Sequence, residues 1–511
     1  MPEDSSILDK DRNVIPRWRD FHTTVAIGEI SSSEDFQSQW DVDETDSLIP
    51  KLWAWQTYKS VPFAADLVAS AFVLGRYAEA DEAARFILEQ QNNVTDSLRG
   101  VAYKLLNPSS DEDRDGALEQ LHDPDTQQIR YRIHRIRVRL HDEPRNAIAY
   151  VELARAYTLL NQKDHAKQAM RMAIKLAPTN RFVLRSASRL FLHTDDLDEA
   201  HHVLRSADTT KFDPWLVSAE IAVASAADRP PRFAKAGQRM IVDFSDSPFE
   251  ITELASALAT LEFHNGKSRD ARKLYRKALI KPTENSLAQI EWASRRIAGL
   301  DFVDATKIQV PRNYEARAWE NFGNGNWVES FNEAWNWFYD QPFSSRPGQF
   351  GSYIASSILE EYDQAERMIE HNLRTNPDDG VLLNNLAFVY ASTGRVKEAT
   401  ETLNRISQLE SGSSLEITVK ATRGLIAFRS GKYSEGRSLY LESIEGSKKY
   451  IRSFQATAAL YYAREEILAN TPMKEEAVNL ALEVSKGIED KHIAAIREKI
   501  LDLDKKGKKT N

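Results

Sequence analysis

GVLLNNLAFVYASTGRVKEATETLNRI, residues 380–406, decides the fold. Leu383, Leu386, Ala387 and Tyr390 fall at i, i+3, i+4 and i+7, one face of an α-helix. Gly394 ends that pattern where a helix C-terminal glycine belongs. Ala399, Leu403 and Ile406 then form a second stripe at i, i+4 and i+7. Alanine at the crossing lets two helix axes approach, and Leu and Tyr fill the space around it. One such hairpin cannot bury both faces of its own helices, so the pattern calls for neighbours built alike.

The neighbours are present. Residues 147–180 repeat the spacing with Tyr150, Leu153, Ala154, Tyr157, Ala166, Met170, Ala173 and Pro178. Residues 311–344 repeat it with Tyr314, Ala318, Gly325, Trp327, Ala334, Trp337 and Pro342. Further copies lie at 61–94, 346–379 and 417–450, weaker ones at 181–214 and 251–283. The stretches 95–128, 215–249, 284–310 and 455–490 are degenerate or interrupted. This pattern resembles the tetratricopeptide repeat, a 34-residue helical hairpin. The resemblance covers about residues 61–490. It implies an all-α, right-handed superhelical solenoid of about eleven or twelve hairpins. A non-repetitive helical bundle is the competing fold, and the phased Ala, Gly and Pro residues argue against it. The expected layout is an N-terminal arm or cap at 1–60, solenoid halves at 61–310 and 311–490, and the end of a capping helix with a basic tail at 491–511. A helix near 48–60 should close the arm, and a single helix of about 474–503 should end the stack.

Composition narrows the function. A chain of 511 residues is several domains or one extended architecture. The formal net charge of −9 does not favour bulk binding to nucleic acid or anionic membrane. The absence of cysteine excludes disulfides, thiol catalysis and Cys-ligated metal centres. No basic start with an apolar run marks a signal peptide, and no apolar run reaches membrane length, so the expected compartment is the cytoplasm.

In a solenoid of this kind the first helix of each hairpin lines the concave groove. Transferred position by position, the resemblance places Arg155, Arg185 and Arg189 on the groove of the first half. It places Trp319, Phe322, Phe350, Ile354, Asn384, Phe388, Leu425 and Phe428 on that of the second. Guanidinium groups suit carboxylate or phosphate, and an apolar strip suits an amphipathic helix or aromatic anchors. The alternative is that these residues pack between helices. Asn385 occupies a position where relatives can bond a peptide backbone; a structural role competes. The clamp for chaperone C-termini also needs basic residues where Phe350, Ile354, Thr418 and Thr422 stand, so that clamp is absent.

IRYRIHRIRVRL, residues 129–140, places Ile129, Ile133, Ile136 and Leu140 on one helix face. Arg132, Arg135 and Arg139 share another side, with Arg130 and Arg137 beside it. Read functionally this is an anionic-partner or RNA patch. Read plainly it is a solvated face paired with the acidic stretch 111–125. Catalytic signals are lacking: no G-x-x-x-x-G-K-[ST], G-x-S-x-G or H-E-x-x-H occurs. Gly323 and Gly325 fall at an inter-helix turn, and His201 with His202 lack a third ligand at helical spacing. No cofactor or metal is expected.

VIPRWRDFHTTVAIGEI, residues 14–30, combines Pro16 with alternating bulky residues. It is expected to cap the first hairpin, or else to reach a partner. The function that fits best is a non-catalytic scaffold holding a peptide, helix or domain of a partner protein in its groove. The alternatives are a regulatory or sensor subunit acting through a separate effector enzyme, then RNA binding through 129–140, and last an intrinsic enzyme.

Overall fold

The computed structural model describes residues 14–21, 44–74, 77–90, 94, 96–106, 126–301, 310–407 and 409–509. The expectations attached to Ser-rich 31–35, Trp40, Gly75 and acidic 111–125 lie outside these residues. Among the described residues every regular element is helical. The chain divides into two compact units, residues 21–127 and residues 1–20 with 128–511. The division at residue 310 expected from the sequence falls inside the larger unit.

The smaller unit holds Glu44–Thr57, Val61–Leu74, Asp81–Glu89 and Asp96–Leu106. Its first helix starts four residues before the expected 48 and carries Pro50 internally. Leu48, Trp55, Leu67, Ala71, Ala84 and Ile87 form its core.

The larger unit is a stack of antiparallel hairpins, an all-α solenoid. The opening stretch forms Gly380–Ser392 and Val396–Asn404. Ala387 and Ala399 are fully buried where the two helices cross. Asp379 starts the first helix, its carboxylate accepting the Leu382 amide at 2.9 Å. Gly394 ends it at φ +82°, a left-handed conformation that costs glycine nothing. In the repeats at 147–180 and 181–214, Asn161 and Asp195 hold that conformation without glycine, at φ 53° and 62°. Asn and Asp tolerate it best, which is why these turns lacked the expected glycine signal.

First helices of successive hairpins pack on one another. Ala147–Leu159, Arg181–His193, Pro214–Ala226, Thr252–His264 and Glu284–Ser294 form one such continuous row. Arg346–Tyr353, Gly380–Ser392, Ser414–Arg429 and Arg452–Leu468 form another. Elements that touch their successors this closely lie on the inside of the curve.

Two local features depart from expectation. Ile354–Leu359 is a π-helical turn, closed by Glu360 at φ 61°. The end of the chain is two helices rather than one, Lys474–Ser485 and Lys491–Lys509, broken at Gly487 (φ +72°). The break sends the last helix back onto Tyr314–Asn324: Lys491 Nζ donates to the Asn324 carbonyl at 2.7 Å.

Candidate protein-binding surface

Two regions of the concave face stand out in the larger unit. The first carries residues 14–20, which run without helix or turn across helices far from them in sequence. Side chains of an extended segment alternate, so Arg17 and Arg19 share one side and Trp18 and Asp20 the other. Arg17 pairs with Glu315, which also accepts from Arg346 at 2.5 Å. Arg19 makes a two-bond fork with Asp340, 2.7 Å at each contact, and a third bond to Glu284 at 2.6 Å. Trp18 is fully buried, its ring 5.4 Å from that of Phe343. Asp20 accepts from Arg132 at 2.5 and 3.0 Å and from Arg155 at 3.1 Å. Asn285 holds the Ile15 carbonyl at 3.0 Å.

The charges along this trough tune one another. Burial disfavours the Asp340 carboxylate, but Arg19 outweighs it and holds the group below its ordinary value. Arg155 is lowered by burial despite Asp20. Burial, reinforced by Arg17 and Arg346, lowers Arg189 to about 9. Arg189 lies over the Phe343 ring at 5.0 Å. Burial and the nearby Arg189 likewise push the His193 imidazole down to about 3.

The second region is a cavity of about 750 Å³ in the C-terminal part of the stack. Its aromatic lining is Trp319, Phe322, Tyr353, Phe454 and His492. Charged groups of both signs, among them Arg296, Arg452, Asp490 and Lys491, also line it. The solenoid is wound tightly here. Tyr461 donates to the Ser357 carbonyl at 3.2 Å and Arg464 to the Tyr362 hydroxyl at 3.1 Å, each across about a hundred residues of sequence. Tyr461 and Ser357 line a smaller cavity that adjoins the larger one.

Most residues transferred from the resemblance are buried, Trp319 and Phe322 included at 5% and 7% exposure, and some of them also reach the cavity wall. Trp319, Phe322, Asn384 and Asn385 do line the cavity. Phe388 contacts a smaller adjoining cavity and packs edge-on against Tyr461 at 5.2 Å. Phe350, Ile354, Leu425 and Phe428, expected on the groove, are core residues with at most 5% exposure. Phe350 stacks under Trp319 at 4.2 Å, and Phe428 fills the space beside Gly436. Asn385 bonds Ser352 Oγ at 3.0 Å, and Asn384 accepts from Thr422 at 2.9 Å; both tie first helices together. Arg185 bonds the Trp215 carbonyl and Glu253, Arg155 bonds Asp20, and Arg189 lies over the Phe343 ring.

The five arginines of 129–140 differ in their surroundings. Thr126–Asp142 is a helix with Ile129, Ile133, Ile136 and Leu140 buried. Arg132 turns to Asp20 and Arg139 to Glu152 at 2.6 Å, while Arg130, Arg135 and Arg137 are exposed. Residues 14–20 belong to the larger unit, and the hairpin at 61–94 falls within the smaller one. Sequence reasoning missed Glu284, Glu315, Asp340 and Phe343 because nothing local marks them. Pro16 and the alternation after it did signal an extended segment.

Among the described residues no group of three or more His, Asp or Glu side chains is placed to hold a metal ion. No described helix is long and apolar enough to cross a membrane.

Residues 147–180 match the tetratricopeptide repeat family. That match falls on one hairpin, Ala147–Leu159 with Lys163–Leu176, of the stack described above. No curated protein matches it. Solved structures similar to it include the Cut9–Hcn1 hetero-tetramer of APC/C, at 15% identity, TM-score 0.40, and coverage of 95% of this chain and 98% of that one. Human IFIT1, as a dimer with PPP-AAAA, matches at 11% identity and TM-score 0.32, covering 92% and 95%. Yeast Tom70 matches at 12% identity and TM-score 0.30, covering 93% and 94%.

Proposed function

We propose that the chain is a non-catalytic scaffold that holds a segment of a partner protein on its concave face, with the C-terminal cavity as the receiving site. The observation that carries this reading is the lining of that cavity. Trp319, Phe322 and Phe454 offer apolar surface, while Arg296, Arg452, Asp490 and Lys491 supply charges of both signs. Aromatic anchors within polar surroundings are the anatomy of a polypeptide-binding hot spot. The volume, about 750 Å³, suits a few side chains of an inserted segment rather than a whole helix or domain.

Filling the cavity tests the reading without emptying the core. Thr418 lines the cavity and is half-buried, so Thr418→Trp adds bulk where the partner would sit. Affinity capture from the source cells should return a stoichiometric protein with the native chain, retained at high salt, and lose it with the variant. Equal capture by both, with the variant melting normally, would reject this site. A co-purifying enzyme would identify the scaffold as the regulatory subunit of that effector.

A further inference from the structure

The trough under residues 14–20 is built like a receptor for a peptide, and its present occupant fits it incompletely. Its two ends differ in charge. Arg132, Arg155 and Arg189 stand on early helices, and Glu284, Glu315 and Asp340 on later ones. The segment matches that division, sending Asp20 to the first set and Arg17 and Arg19 to the second. Trp18 fills the apolar middle against Phe343.

The fit leaves buried polar atoms unanswered. Arg17 Nε, Trp18 Nε1, Arg155 Nε and His193 Nε2 are buried without a hydrogen-bond partner. Such groups cost stability that a better-matched ligand recovers. Arg189 adds a charge to this region: its guanidinium lies over the Phe343 ring at 5.0 Å, with Arg17 and Arg346 opposing it and Glu315 favouring it. Burial beside Arg17 and Arg346 makes that arrangement unfavourable. An acidic group brought over Arg189 would relieve it.

We propose that the concave face between Arg132 and Arg346 is a second polypeptide-binding surface, distinct from the cavity, and that residues 14–20 occupy it as a displaceable internal ligand. Its external ligand is an extended protein segment of the pattern Arg–aromatic–Arg–acid, with a further acidic group over Arg189. The internal segment holds the surface closed until such a partner replaces it. A segment tethered in the same chain competes at high effective concentration, so the external one must make the contacts that the internal one lacks.

The test uses the full-length chain and a fluorescent peptide copying residues 13–21, NVIPRWRDF. An opened variant carries Arg17→Ala, Trp18→Ala and Arg19→Ala. Anisotropy should show the peptide binding the opened variant at least tenfold more tightly than the native chain. Adding Asp340→Arg to the opened variant should abolish binding, and a peptide with Arg19→Glu should restore it. An opened variant that keeps its helical content and melting temperature, yet binds no peptide up to about 1 mM, overturns the proposal. A second measurement covers an opened variant that fails to fold. In the native chain, saturating peptide with an added acid should speed hydrogen exchange of residues 14–20 and leave Glu284–Ser294 protected. Exchange of 14–20 that stays at the rate of the core, whatever the peptide concentration, also overturns it. Thr418→Trp should leave every one of these results unchanged, so failure here and failure of the cavity are separable.

Discussion

Arg19 and Asp340 are joined by two parallel hydrogen bonds of 2.7 Å although 321 residues separate them in sequence. Asp340 is the last residue of its helix, where the helix dipole disfavours negative charge. It is also buried, and so depends on its partner. Asp340→Asn keeps the shape and removes the charge. The variant should lose about 1–3 kcal/mol, read as a lower thermal midpoint. Arg19→Ala should do the same, and the double variant should lose less than the sum of the two. Full additivity would show that the fork contributes nothing.

Acid should loosen the larger unit before its carboxylates titrate. His193 is held neutral by burial, its pKa lowered from 6.5 to about 3. Between those values the unfolded chain takes up a proton that the folded chain refuses. Stability is therefore full above pH 6.5 and falls as pH drops toward 3. His492 is lowered too, chiefly by burial, and adds a loss of the same sign. Melting temperatures of His193→Gln should fall less steeply from pH 6.5 to 4.5 than those of the native chain. Parallel slopes would contradict the assignment.

Two glycines should respond oppositely to the same substitution. A Cβ on Gly436 would lie 2.9 Å from the Gly424 carbonyl oxygen and 2.6 Å from the Phe428 ring, where two helices cross. Helix propensity favours alanine by about 1 kcal/mol, but overpacking against backbone costs about 1–3 kcal/mol. Gly436→Ala should lower the melting temperature of the larger unit. Gly100 lies inside Asp96–Leu106 with open space around it, so Gly100→Ala should stabilise the smaller unit by about 0.5–1 kcal/mol. Hydrogen exchange resolves the two units.

Trp319→Ala should destabilise by about 3–5 kcal/mol, because the ring is 5% exposed and packs on Phe322 and Phe350. Loss of partner binding in that variant would report a damaged core. Denaturant titration beside the binding assay distinguishes the cases.

The hairpins were legible because their signals are local. Ala387, Gly394 and Ala399 specify a crossing and a turn from a few residues each, and the larger unit has them where expected. The surface was less legible because its members come from distant repeats. Position within a repeat tells which side of a helix a residue occupies, but not whether the next hairpin covers it; Phe350 and Ile354 are covered. The seat of residues 14–20 depends on Glu284, Glu315 and Asp340 converging on it. Nothing in their neighbouring sequence distinguishes these acids from the many exposed ones. The turn at Gly487 was hidden for a similar reason, since the helical pattern on either side reads as continuous.

The central claim, that the concave face holds a partner segment, is tested most directly by site-specific photocrosslinking in the source cells. A photoreactive residue replaces Thr457, which lines the cavity, or Lys397, whose side chain is 85% exposed on the second helix of its hairpin. The account predicts one prominent protein adduct from position 457, mapping to a short partner segment, and none in common from position 397. Adducts of the same partner from 397 with none from 457 would contradict it.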